Sequence, residues 1–97
     1  MAFSYSDNNF TVIGNLCFVH IPLDGTKRVF DIPPAIVDRI LYSRIVCTYP
    51  YLYEKDDRGS GALTKNIGYA IINNSKISLT GVGFGYLSFF FPIDSNK

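Results

Sequence analysis

The sequence predicts an all-β fold, a small antiparallel β-sandwich or barrel with at most one short helical turn, and three observations point there. Aromatic residues, all Phe or Tyr, make up 15% of the chain, and they stand among many β-branched residues, a mixture that suits pleated, half-buried surfaces. Apolar residues alternate over several short runs. Turn signals separate those runs at close spacing: Asp24-Gly25, the stretch Asn73-Asn74-Ser75-Lys76, and the glycines of GVGFG.

In chain order, residues 1–8 (MAFSYSDN) form a polar N-terminal lead-in, and residues 9–97 form the single β domain that a chain of 97 residues allows. From Asn9 the segment NFTVIGNLCFVHIPL alternates. Phe10, Val12, Leu16, Phe18 and His20 fall on one face; Thr11, Ile13, Asn15, Cys17, Val19 and Ile21 fall on the other. This predicts one long strand, or two with a kink at Gly14, apolar on both faces. Asp24-Gly25 followed by TKRVFDI predicts that residues 9–32 form a hairpin or a pair of neighbours. Pro33-Pro34 ends that unit. In AIVDRILYSRIV, Ile36, Val37, Ile40, Leu41 and Ile45 fit helical spacing, while from Leu41 onward a β alternation is equally coherent. The expectation is one helical turn and then a strand. Residues 48–66 hold a loop or long hairpin with a polar tip at 55–61. IGYAII and KISLTGV form a second hairpin about the Asn-rich turn, and YLSFFFPI closes the fold.

Composition excludes several function classes. The nine Lys and Arg are scattered and nearly matched by eight Asp and Glu, so no basic face for nucleic acid is expected. The apolar runs are too short to span a bilayer as helices, and no membrane insertion is expected. The N-terminus has no charged start followed by an apolar core, so no signal peptide is expected. Cys17 and Cys47 could pair or stay free, with free thiols the preferred reading.

The order of parts resembles a known family. A long strand (FTVIGNLCFVHIPL), a DG turn, a short strand closing on a proline pair (VFDIPP), the segment GYAIINNSKISLTG and a final strand ending FFFPI are similar to the C-terminal head domains of bacteriophage tail fibres and receptor-binding proteins. The similarity spans residues 9–93, with Lys76 where the pattern often has glycine. It implies a homotrimeric, non-enzymatic adhesion head, made in the host cytoplasm and carried on the virion, that binds a host cell-surface receptor. It also implies that Phe89, Phe90 and Phe91 supply an oligomer interface, one side of their strand lining the core and the other pressing on a neighbour.

Chemistry-bearing residues are few. His20 is the only histidine and reads as a structural residue with one satisfied nitrogen. With Cys17 and Cys47 it makes an incomplete zinc set, so no metal or cofactor is expected. GVGFG lacks phosphate-loop spacing and a following helix, and the acidic tip lacks the alternate-position oxygens of a calcium loop. The candidate ligand-binding cluster is Tyr49, Tyr51 and Tyr53, spaced by two and leading into Asp56, Asp57 and Arg58. A flat aromatic face beside carboxylate and guanidinium groups suits a saccharide; the same tyrosines could equally pack an interface or a loop base. A rival function is a small intracellular phage or bacterial α+β protein that binds and regulates a host protein. A genuine amphipathic helix over AIVDRILYSRIV would make the fold α+β and count against the adhesin resemblance.

Overall fold

A computed structural model describes residues 3–54 and 63–96. Seven strands form one curled antiparallel sheet, a half-barrel: β1 (Phe10–Ile13), β2 (Leu16–Asp24), β3 (Val29–Asp31), β4 (Arg44–Glu54), β5 (Leu63–Asn73), β6 (Lys76–Leu79) and β7 (Phe84–Pro92), in the order β1-β2-β7-β4-β5-β6-β3. The all-β expectation holds.

The opening run is two strands, and the break re-sorts its faces. Gly14 and Asn15 form a two-residue hairpin loop between Ile13 and Leu16, with Gly14 at φ 60°, the positive angle that a type II′ turn demands at its first central position. A two-residue loop shifts the alternation by one. Phe10 and Val12 therefore pair with Val19 and Cys17 on the buried face, while Phe18 and His20 turn outward. The expected sets, with Phe10 and Phe18 on one face, are thus corrected.

Asp24-Gly25 does not close a hairpin. The Asp24 carboxylate accepts hydrogen bonds from the backbone N–H groups of Thr26 (2.9 Å) and Lys27 (2.9 Å), an Asx-type turn that redirects the chain. β3 crosses to the far edge and pairs with β6 (Phe30 opposite Ile77). The Asn-rich turn behaves as expected: Asn74, at φ 58°, joins β5 and β6 through the Asn73–Lys76 pair.

The helix α1 covers only Pro34–Val37, with Pro33 at its N-cap and Pro34 inside its first turn. Tertiary pairing stops it there. Ile40 bridges Ile93, and Arg39 donates through its guanidinium to the carbonyls of Asp94 and Ser95 while its own carbonyl accepts from the Asp94 N–H. A helix continued through residue 45 would draw those groups off the sheet. The α+β architecture of the rival reading is not formed.

The concave face holds the core. Phe10, Cys17, Val19, Leu87, Phe91, Tyr49, Ala70, Ile72 and Ile77 line it, and Ile36 of α1 closes its open side, fully buried. Each such aliphatic or aromatic side chain contributes about 1.5–3 kcal/mol by leaving water. The lead-in is docked: the Phe3 N–H donates to the Ser95 carbonyl at 2.8 Å, the Val12 N–H to the Tyr5 carbonyl at 2.8 Å, and the Arg39 guanidinium lies 3.9 Å over the Phe3 ring.

Candidate functional site

The tyrosines of β4 share the concave face, as their spacing predicts, and form a ladder with ring centroids 5.6 Å (Tyr49 to Tyr51) and 6.2 Å (Tyr51 to Tyr53) apart. Their accessibility differs. Tyr49 is 1% exposed. Its hydroxyl donates to the Gly81 carbonyl at 2.6 Å and accepts from the Gly81 N–H at 3.1 Å, clasping both backbone groups of one residue. Burial pushes its pKa up. Tyr49 is therefore withdrawn from the ligand-binding set. Tyr51 is half-buried, accepting a hydrogen bond from the Asn66 amide at 3.0 Å, and Tyr53 is half-buried beside it. Asp56, Asp57 and Arg58 lie outside the described residues.

Glycines make the ladder possible. Gly68 faces Tyr49 across the strands, and a Cβ there would fall 2.7 Å from the ring. Cβ atoms at Gly81 and Gly83 would strike the Tyr51 ring. Neither Gly81 nor Gly83 has positive φ, so the first two glycines of GVGFG serve close approach; only Gly85, at φ 108°, has the backbone freedom expected of a turn glycine.

The hairpin of β4 and β5 is longer than anything beside it. Its register runs from Arg44–Asn73 to Glu54–Leu63. β6 accompanies it only as far as Ala70–Leu79, and β7 meets β4 in a single ladder pair, Leu52–Phe84. Residues 53–54 and 63–64 thus extend past both neighbours as a two-stranded arm.

The three phenylalanines separate by parity. Phe91 is fully buried opposite Cys17, and Phe89 packs against the core opposite Val19. Both are corrected out of the exposed interface set. Phe90 faces outward, 56% exposed, with its ring 5.6 Å from that of Phe18. Beside this pair the His20 and Tyr86 rings stack at 4.5 Å and 11°, and His20 Nδ1 lies 2.7 Å from the Ser88 hydroxyl. His20 thus has the one satisfied nitrogen expected of it. This outward aromatic group escaped the sequence reading, and reading Gly14-Asn15 as a two-residue turn was the signal that would have found it.

Both cysteines are free thiols. Cys17 is buried, and burial, followed by the charge of Asp7, pushes its pKa up to about 12. Cys47 is half-buried, its pKa also raised by burial, and its thiol donates to the Phe90 carbonyl at 3.6 Å. Among the described residues no group of three or more His, Cys, Asp and Glu side chains is arranged to hold a metal ion. Compared with family models, curated proteins and solved structures, the chain matches none.

Proposed function

We propose that the chain is a non-enzymatic viral adhesion head, carried on a virion as an oligomer of three copies, which binds a host cell-surface receptor of saccharide type. The observation that carries the reading is the β4–β5 arm, which projects beyond both neighbouring strands. Loops held out by a rigid β scaffold are where recognition residues concentrate. Along the sequence Tyr53 is followed by Asp56, Asp57 and Arg58, the aromatic and charged mixture that suits a saccharide. Multiple copies would raise a modest single-site affinity by avidity, because linked sites make later binding events intramolecular.

A glycan array probed with the whole chain tests the reading, followed by titration of any hit against Tyr53→Ala and Asp57→Ala. Each variant is expected to weaken binding at least tenfold with unchanged circular dichroism. An array without a hit would remove the saccharide, and a hit that both variants bind like the parent would remove the arm.

A further inference from the structure

The convex face of the sheet carries exposed apolar and aromatic residues on four adjacent strands, β2, β7, β4 and β5. Registers carried on from the Leu52–Phe84 pair align Phe18, Phe90 and Val46 in one cross-strand row and Tyr86 with Ile67 in another, with Tyr69 in the row between them. These side chains are 38–67% exposed. We infer that this face is the contact between copies of the chain. The inference deepens the oligomeric part of the proposed function and does not depend on the receptor.

Area supports a macromolecular occupant. With a whole Phe or Tyr worth about 200 Å² and the aliphatics somewhat less, the six residues offer roughly 600 Å² of exposed surface. The smaller exposed residues between them raise the face to the order of 800 Å² per partner, the size of a standard stable interface. Singly scattered exposed apolar residues are ordinary, but six gathered on one sheet face, with only the row of His20, Ser88 and Thr48 between them, are not.

Charge selects a second copy. Asp24, Arg44 and Lys65 stand at the end rows of the face, leaving its centre uncharged. A charge-free centre with a charged rim is interface anatomy, and it carries nothing to single out an oppositely charged partner. About a threefold axis, three such centres meet without bringing like charges together. Two polar groups within it, His20 Nδ1 and the Ser88 hydroxyl, already bond each other, so burying them strands neither at that contact.

The terminal strands of the sheet favour the face over strand-to-strand pairing. At β1, residues 5–7 occupy part of the edge through the Ser6–Thr11 bridge and the Tyr5 carbonyl. The other edge, β3, is three residues long and carries the Asp31–Lys76 ion pair. Short, charged or covered edges resist strand-to-strand extension. Copies therefore meet through this face and not through the terminal strands.

Light scattering coupled to size-exclusion chromatography tests the inference, on the whole chain over a dilution series. The parent is expected at a multiple of 10.9 kDa. Phe90→Glu and Ile67→Lys, each checked for native circular dichroism, should both shift towards the single-chain mass, with association weakened roughly 100-fold or more. Leu41→Lys, at a residue 50% exposed outside this face, should match the parent. A parent that is monomeric at 100 μM would overturn the inference and the oligomeric part of the proposed function, while the glycan titration would still decide the receptor. A multimer that survives in whichever face variants fold would overturn the face alone.

Discussion

The clasp of Tyr49 on Gly81 gives the most quantitative prediction. Tyr49→Phe keeps the ring, its packing against Gly68 and its place in the tyrosine ladder, but removes a donor to the Gly81 carbonyl and an acceptor for the Gly81 N–H. Gly81 is only half-buried, so water partly replaces the lost partners and the full cost of two stranded buried groups does not apply. Taking about 1 kcal/mol for each bond gives a loss of about 2 kcal/mol. That is a substantial share of the roughly 5–15 kcal/mol that holds a domain of this size together. In a thermal melt it corresponds to a fall of roughly 8–16 °C, and in urea to a lower midpoint with an unchanged slope. Parent and variant are compared at matched concentration, because self-association makes apparent stability concentration-dependent. A loss under about 0.5 kcal/mol would refute the reasoning: the hydroxyl would then be no better a partner for Gly81 than water.

Three further outcomes follow from the packing. Gly68→Ala should destabilise by about 1–3 kcal/mol through overpacking against the clasped Tyr49 ring, whereas Gly14→Ala, with open space around it, should cost only the roughly 1–2 kcal/mol of a left-handed backbone; paired thermal melts check the contrast. Phe91→Ala should lose about 3–5 kcal/mol as a core truncation, while Phe90→Ala should leave the dilute protein close to the parent in urea titration. Stability should fall as pH rises from about 9 to about 12, because the buried Cys17 thiol keeps its proton in the folded state up to about 12 while the unfolded chain releases it from 9.0. That thiol steepens the decline by at most about 1.4 kcal/mol per pH unit. Urea midpoints measured across this range should flatten in Cys17→Ala.

Elements set by local chemistry were legible in the sequence, and those set by distant partners were not. The Asn-rich turn, the proline-led helical turn and the long β4–β5 pairing each carry their own signal in neighbouring residues. Asp24-Gly25 is as strong a turn signal, yet a turn dipeptide reports a change of direction and not the partner that follows. The edge of β6 took β3, and the Asp24 carboxylate turned the chain towards it. Gly14-Asn15 reads as a kink because the commoner hairpin order places Asn first; the less conspicuous turn shifts the parity of nine following residues. The candidate site divided the same way. Spacing by two correctly puts Tyr49, Tyr51 and Tyr53 on one face, but it cannot show that Gly68, Gly81 and Gly83, far along the chain, leave space into which the first two rings sink.

The two ends of the described chain meet, Phe3 on Ser95, beside the Arg39 guanidinium that holds the last carbonyls. β7 runs from that pole, where Pro92 pairs with Leu16, to the base of the arm, where Phe84 pairs with Leu52. A tether fixed at either end therefore leaves the arm pointing away from the anchorage. Tension between the arm and the chain ends would run along the strands. Paired positions along the sheet would then be loaded in shear, all together, where a pull across the strands would open them one after another.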